Sequence, residues 1–410
     1  MIKPSILAIF ISLLLYIDMG LPSEQVSLEA NDAPGPESEV HESARHNFRI
    51  VTVSEGLDNP WSLAWLPSGE MLVTERTGRL RIYRDDLHLP EVIRGFPPVY
   101  RKQGQGGFME ILPHPDFENN QLLYLSYGKP NADKSEGTTT VVRGRLEGLR
   151  IVELEEVFEA NAWGGNNNHF AGRMVFDHKG YLFLAVGDRM VTPDMMSKHP
   201  SQDLTNHMGK IIRLHDDGRV PRDNPFVGRR GSLPEIWSYG HRNVQGLAVH
   251  PLTGDVWLNE HGPRGGDELN LVVKGGNYGW PVVSYGIHYN GTSFTNETSR
   301  NDMESPDFAW IPSIGISGLM FYTGDKFPWW KGSVFSGGLV GEQLARLTLI
   351  ENRPVSEETL LSGSIGRIRE VKEGPDGLIY IATDNRSGDR LSKILRLEPV
   401  SGEVQSPPVN

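Results

Sequence analysis

The sequence predicts an all-β protein, a six-bladed β-propeller with long loops on one face. Three observations lead there. A hairpin-like unit recurs six times at a roughly constant interval. Turn formers are abundant, with 46 Gly and 28 Pro among 410 residues, which opposes a helical bundle. The unusual polar residues gather between the repeats rather than inside them.

Each unit is an apolar alternation, a turn containing Pro, Asp or Gly, a short apolar strand, and an acidic or glycine end. In chain order the copies are WSLAWLPSGEMLVTE (61–75), GGFMEILPHPDFENNQLLYLSYG (106–128), GRMVFDHKGYLFLAVGD (172–188), QGLAVHPLTGDVWLNE (245–260), SGLMFYTGDKFPWWKGSVFSGG (317–338) and IREVKEGPDGLIYIATD (368–384). Their β-branched and aromatic residues around tight turns mark hairpins, and hairpins at a regular interval mark a repeat array. The turns at Gly69 and Gly377 are 308 residues apart over five steps, about 62 per step. That exceeds what a minimal four-stranded blade needs, so the surplus is assigned to loops at 129–168, 189–236 and 261–312. Loops on a rigid scaffold can converge on one site without disturbing the sheets. A pair of irregular β-sandwiches is the alternative arrangement of the same hairpins.

The propeller is expected to span 47–400. Ahead of it, Lys3 precedes an uncharged run from Pro4 to Ile17, too short for a comfortable membrane span but suited to a signal-peptide core. Residues 1–20 are therefore read as a signal peptide, which anchors the protein to a membrane only if uncleaved. Residues 21–46 are polar and acidic and read as a flexible linker; 401–410 read as a tail. The implied location is periplasmic or secreted. A net charge of −12 makes nucleic acid an unsuitable partner. The absence of cysteine excludes disulfides, thiolate nucleophiles and Cys-ligated zinc.

The richest stretch runs from Tyr239 to Pro281. It holds a cation (Arg242), amides (Asn243, Gln245), a Gly-Pro-x-Gly-Gly turn (262–266), two adjacent carboxylates (Asp267, Glu268) and Tyr278. Oxygen-rich turns with carboxylates suit a hard cation such as calcium, and Arg242 suits an anionic ligand or a developing negative charge. Glu268 is a direct calcium ligand in this reading, with the carbonyls of Gly262 and Pro263 available to a second ion; a turn closed by Asp267 and Glu268 through local hydrogen bonds explains the same residues. Gln105 lies on the Gly-rich GQGG (104–107), a ligand loop or a plain turn. His169 opens the third repeat, and Asp188 closes its second strand. In an antiparallel hairpin those ends adjoin, so Asp188 can hold the tautomer of a general base; a hydrogen-bonded structural His is the other reading. Arg367 and Arg369 share a strand face. They fit forked contacts to a polycarboxylate, or else a solvated outer face. No EF-hand loop, zinc-protease helix, P-loop or dinucleotide fingerprint is present.

Taken together, GLDNPWSLAWLPSGEMLVTER, GQGG, HFAGRMVF, GHRNVQGLA, EHGPRGGDELN and GGNYGWP resemble the soluble pyrroloquinoline quinone (PQQ)-dependent aldose sugar dehydrogenases, the glucose/sorbosone dehydrogenase family. The resemblance runs from about Phe48 to Leu397. It implies a six-bladed propeller that oxidises the anomeric hydroxyl of aldoses to lactones, passing hydride to PQQ and then electrons to an external acceptor. His169 matches the catalytic base, Asp188 its partner, and Arg242 the residue that stabilises negative charge on the cofactor, with Asn243 beside it. Gln105 and Tyr289 match ligand contacts, and Arg367 and Arg369 match the pair on the cofactor carboxylates. Gly262 and Pro263 match the carbonyls of a cofactor-linked Ca2+, and Glu268 and Tyr278 a second, structural Ca2+ site. One position departs. Where the family commonly has a cofactor-facing Lys this chain has Val340, and losing one charge-assisted contact is worth ~1.5–3 kcal/mol.

Two other functions share the scaffold. A calcium-dependent lactonase needs side-chain oxygens ringing the channel axis and leaves Arg367 and Arg369 without a role. A non-catalytic family propeller binding a protein or glycan is favoured by Val340.

Overall fold

The computed structural model describes residues 39–101, 104–385 and 392–400. The regions read as signal peptide and tail, and the linker up to residue 38, lie outside the described residues. Within them the chain forms six four-stranded antiparallel sheets, the predicted propeller. Strand β1 (Phe48–Leu57) is set aside for the last blade. Blade one is β2 (Pro60–Trp65), β3 (Met71–Glu75), β4 (Arg79–Arg84) and β5 (Leu87–Ile93). Blade two is β6 (Phe108–Pro113), β7 (Leu122–Pro130), β8 (Gly137–Glu147) and β9 (Arg150–Glu159). Blade three is β10 (Ala171–Phe176), β11 (Leu182–Val186), β12 (Lys210–Leu214) and β13 (Ile236–Tyr239). Blade four is β14 (Val244–Val249), β15 (Val256–Glu260), β16 (Asp267–Leu271) and β17 (Phe308–Trp310). Blade five is β18 (Ile316–Phe321), β19 (Val334–Gly338), β20 (Gln343–Ile350) and β21 (Arg353–Leu360). Blade six is β22 (Ile368–Glu373), β23 (Ile379–Thr383) and β24 (Ser392–Pro399), completed by β1, which pairs with β24 from Phe48–Pro399 to Leu57–Ser392.

Each sequence repeat is the inner hairpin of one blade. The first strands touch one another around the ring, β2 to β6 and on to β22, which returns to β2. Their side chains alternate between neighbouring blades, so the apolar core lies between sheets. Leu72 and Leu80 of blade one meet Ile111 and Leu125 of blade two, while Tyr124 and Val141 of blade two meet Leu184 and Ile212 of blade three. Each such side chain contributes roughly 1.5–3 kcal/mol when fully buried.

The axis carries charge rather than more apolar packing. Arg173 of β10 pairs with Glu110 of β6 at 3.0 Å and with Glu370 of β22. Its guanidinium lies 3.9 Å over the Trp61 ring, and its Nε donates to the Gln245 carbonyl. Ser62 donates to the other oxygen of Glu110 at 2.6 Å. Five blades thus meet at one guanidinium, and cutting such a buried pair leaves an uncompensated charge worth ~3–5 kcal/mol.

Two expectations are corrected. The segments 129–168, 189–236 and 261–312 are not wholly loops, because they contain β8 and β9, β12, and β16 and β17. These outer strands escape an apolar-run reading because one side faces water, as in β9 (RIVELEEVFE), where the glutamates are exposed. Long irregular connections remain at 187–209, 215–235 and 272–307. The linker also ends earlier than residue 46. His41 forms a bridge with Phe48. His46 is buried edge-on against Phe327 and Trp330, and it accepts the Trp329 N–H at 3.0 Å. A composition-based reading counts these imidazoles as polar, whereas here they pack as rings. Among the described residues no helix is long and apolar enough to cross a membrane.

Candidate active site

In every inner hairpin the start of the first strand adjoins the end of the second, so one end of the ring collects residues from all six repeats. His169 sits just before β10 with φ +51, and Asp188 just after β11. His169 Nδ1 lies 2.6 Å from Asp188 Oδ1. The Asp188 carboxyl is buried, yet it stays below the ordinary carboxylate range: burial pushes it up, and His169, Arg242 and His199 together outweigh that. An ionised carboxylate only accepts, so Nδ1 carries the hydrogen and Nε2 is left as the basic nitrogen. No described residue bonds Nε2. Burial also holds His169 below the ordinary imidazole value; Arg242 and Arg189 act in the same direction against the pull of Asp188. A neutral, oriented imidazole at the channel mouth is the form a general base requires.

Arg242 and Asn243 precede β14. The Arg242 side chain donates to the carbonyls of His261 (3.1 Å) and Gly262 (2.8 Å) and approaches the Tyr289 hydroxyl at 3.4 Å. Among the described residues no carboxylate pairs with this guanidinium, so its charge remains available to an anionic ligand. Gln105 links the two sides: its Oε1 accepts from His169 N at 2.9 Å and from Asn243 Nδ2 at 3.5 Å. Tyr289 is 64% exposed and stands at the rim.

Arg367 and Arg369 do not lie on a solvated face. Arg369 is buried, donating to Asp384 Oδ2 at 3.2 Å and to Gln245 Oε1 at 3.0 Å. Arg367 donates to the carbonyls of Asp384 (3.1 Å) and Leu339 (2.8 Å). Asp384, the acidic end of the sixth repeat, thus meets Arg369 with its carboxylate and Arg367 with its main-chain carbonyl. Val340, next to Leu339, is 71% exposed at the same end of the ring. Gln105, Gln245, Arg369, Trp61, Arg76 and Phe170 line a small polar recess between the inner strands, with room for about one water.

The turn at 262–266 is closed by Asp267, whose two oxygens accept from Gly262 N (2.9 Å) and from Gly315 N (2.6 Å) and Ile316 N (3.1 Å). A Cβ at Gly262 would lie 2.2 Å from the carbonyls of Gly265 and Gly266, so no other residue fits there. Glu268 plays no part in closing the turn. It stands directly opposite Glu260 in the β15–β16 register, and burial followed by repulsion from Glu260 pushes its carboxyl up to about 8. Glu260 is held by His241 Nδ1 at 2.9 Å and Arg242 N at 2.6 Å.

A buried carboxylate, Glu260, and a half-buried one, Glu268, opposed in this way suit a divalent cation, which would relieve both. Among the described residues no three His, Asp or Glu side chains gather to hold a metal, so calcium here would depend on the carboxylate pair and main-chain oxygens. Tyr278 cannot contribute its hydroxyl, which donates to the Leu271 carbonyl and accepts from Val273 N at 2.8 Å while the ring stacks on His241. Any ligand from Tyr278 is therefore its carbonyl. At Gly262 the donor type fits calcium, but the carbonyl already accepts from Arg242, and an ion there would share it with the guanidinium. No described contact engages or excludes the Pro263 carbonyl. For PQQ the fit is one of charge: Arg242 lacks a carboxylate, amides of Gln105 and Asn243 stand beside it, and Arg367 and Arg369 flank the far side.

Sequence reasoning passes over Glu260, Asp384 and Trp280, and it names Gln245 without giving it a partner. The first two were visible as acidic ends of their repeats. Trp280 lies within the GGNYGWP motif, where no spacing rule reveals its partner.

Comparisons with known proteins bear on this geometry. The family model for glucose/sorbosone dehydrogenase matches residues 57–396. The chain is 40% identical over 356 residues to aldose sugar dehydrogenase YliI of Escherichia coli (strain K12), covering 85% of this chain and 93% of that one. Among solved structures it resembles a glucose dehydrogenase at 43% identity and TM-score 0.80, over 85% of this chain and 98% of the other. It also resembles the PQQ-bound form of an aldose sugar dehydrogenase from Streptomyces coelicolor at 26% identity and TM-score 0.70, over 86% and 98%.

Proposed function

The chain belongs to the glucose/sorbosone dehydrogenase family, and from that premise we propose that it is an exported quinoprotein dehydrogenase that oxidises the anomeric hydroxyl of aldose sugars to lactones. PQQ is its hydride acceptor, calcium its metal, and a separate external acceptor takes the electrons onward. The observation that carries this reading is the His169–Asp188 pair, 2.6 Å apart, beside an Arg242 guanidinium without a carboxylate.

When bound, PQQ supplies a two-electron acceptor and calcium a Lewis acid. The chain's own residues do the rest. Asp188 holds the Nδ1–H tautomer, so His169 Nε2 takes the proton of the anomeric hydroxyl as C1 gives up its hydride. Arg242 offsets the negative charge that develops on the acceptor side. Gln105 and Asn243 would orient the ligand, with Tyr289 at the rim, and Arg367 and Arg369 would meet the cofactor carboxylates. The carbonyls of Gly262 and Pro263 would hold the cofactor-linked calcium, and Glu268 with the Tyr278 carbonyl a second, structural one. Export is supported by Lys3 and the uncharged run after it.

The test is a titration of metal-stripped protein with PQQ and calcium, followed by an aldose while quinone absorbance is read. Saturable binding and sugar-dependent reduction, lost in His169→Ala, are expected. Absence of cofactor binding at micromolar concentration would leave the second reading, a non-catalytic propeller, which Val340 at the expected lysine position favours. Recovery of the mature protein from a periplasmic or secreted fraction without its first 20 or so residues tests export.

A further inference from the structure

One side chain touches both halves of the site and has no role in the chemistry described so far. Trp280 is buried on the segment 272–307, which leaves the far end of β16 and returns over the channel mouth. Its indole Nε1 donates to Asp188 Oδ2 at 2.8 Å, on the oxygen that His169 does not use. Its ring lies 5.2 Å from the Arg242 guanidinium carbon.

The carboxylate of Asp188 is thereby fixed at both oxygens. Oδ1 takes His169 Nδ1 and Met190 N (2.8 Å), and Oδ2 takes the indole. His199 Nε2 stands 3.8 Å from Oδ2, but that nitrogen faces the Val191 carbonyl at 3.2 Å, so the indole is the closer partner. Trp280 is itself held on every side. Its N–H donates to the Gly240 carbonyl at 2.9 Å, two residues before Arg242. Its carbonyl accepts from Ser201 Oγ (2.7 Å) and Gln202 Nε2 (2.9 Å). The Ser201 loop is clamped in turn by Lys210, whose ammonium donates to the carbonyls of Pro200, Ser201 and Met208. His199 and Phe294 meet the indole edge-on.

We propose that Trp280 is a positioning residue that couples the proton acceptor to the charge stabiliser: its indole N–H fixes the Asp188 carboxylate and so the reactive face of His169, while its ring carries Arg242. A core tryptophan needs a partner for its N–H. What distinguishes this one is that the partner is the acid orienting His169, and that the face of the same ring meets Arg242. This inference rests on the catalytic roles proposed for His169 and Arg242, so its test uses a readout that needs no turnover.

The groups facing His169 are Asp188, Arg242 and Arg189; His199 faces Asp188 from the other side, and Lys210 faces His199 and Asp203. Trp280→Phe keeps an aromatic ring and deletes the N–H. A carboxylate relieved of one donor holds an imidazolium more tightly, so the His169 titration, followed by NMR without cofactor, should move upward. In the PQQ- and calcium-loaded protein kcat should fall about tenfold to a hundredfold, because small misplacements of reacting groups carry penalties of that size, while KM for sugar holds. An unmoved His169 titration in folded Trp280→Phe overturns the proposal whatever the activity. Should that variant not fold, the wild-type indole resonance of Trp280 decides. It should track the His169 titration and lose that dependence in Asp188→Asn; an indole signal indifferent to both overturns the coupling. If wild-type protein fails to oxidise aldoses, the proposed function falls while the titration still decides the role of Trp280.

Discussion

Asp188 in blade three and Asp384 in blade six occupy neighbouring places, two residues and one residue beyond the second strand of the inner hairpin, and both are buried. Their partners differ. Asp188 meets a neutral imidazole and leaves its second nitrogen for chemistry. Asp384 meets Arg369 through its carboxylate and Arg367 through its carbonyl, which lowers their demand for an outside anion and fixes their direction. The acid at the strand end is therefore part of the repeat, and its consequence depends on what faces it. One blade builds a base in this way, and another aims two cations.

The comparison breaks most easily at the imidazole. His169→Ala is expected to lower kcat of the loaded protein by about 10²–10⁴-fold while leaving the PQQ titration unchanged; retained turnover would remove blade three from the chemistry. The same group sets the acid limb of kcat/KM. Because burial lowers His169 from the ordinary imidazole value of 6.5, the neutral base persists below that pH, and activity should be lost only as pH falls through the lowered value. A limb above 6.5 would contradict this.

Next in size is Arg242→Met, expected to lower kcat by about 10²–10³-fold and to weaken the quinone as well, since no described carboxylate shares that charge. Asp384→Asn should act differently from Asp188→Asn. Denaturant unfolding should show a loss of about 1.5–3 kcal/mol, the worth of a buried charged hydrogen bond. Turnover at saturating cofactor should hold, whereas in Asp188→Asn it should collapse. Equal kinetic damage from the two would erase the distinction between the blades. The smallest effect belongs to Val340→Lys. At a position this exposed an added cation is worth about 0.2–1 kcal/mol, a few-fold tightening of PQQ in a binding titration.

Much of this is legible in the sequence, and the reasons are local. The six inner hairpins declare themselves because both their faces are buried between blades, giving apolar runs with turn signals at a regular step. The outer strands do not, because β9 and β21 expose one face and read like loop. The proximity of His169 and Asp188 follows from antiparallel pairing alone, as does that of Arg369 and Asp384 once the acidic strand end is noticed. Trp280 is beyond such reasoning. It reaches Asp188 across 92 residues of sequence, along a segment with no regular periodicity. The tyrosine expected at the second calcium site shows a further limit: the match does not say which of its oxygens is offered, and only its partners, Leu271 and Val273, reveal that the hydroxyl is engaged.

The pairing of β1 with β24 bears on how such a molecule comes into being. Phe48 and Pro399 lie about 350 residues apart, and joining ends so distant opposes closure by about 5 kcal/mol of chain entropy before any contact forms. A growing chain released residue by residue holds five blades and an open arc until its final strand appears. Only then can Arg369 and Asp384 of blade six be locked opposite His169 and Arg242. The mouth of the channel therefore has no fixed shape until β24 has formed, and trimming either strand of this clasp should loosen a site whose His169 and Arg242 lie more than a hundred residues away.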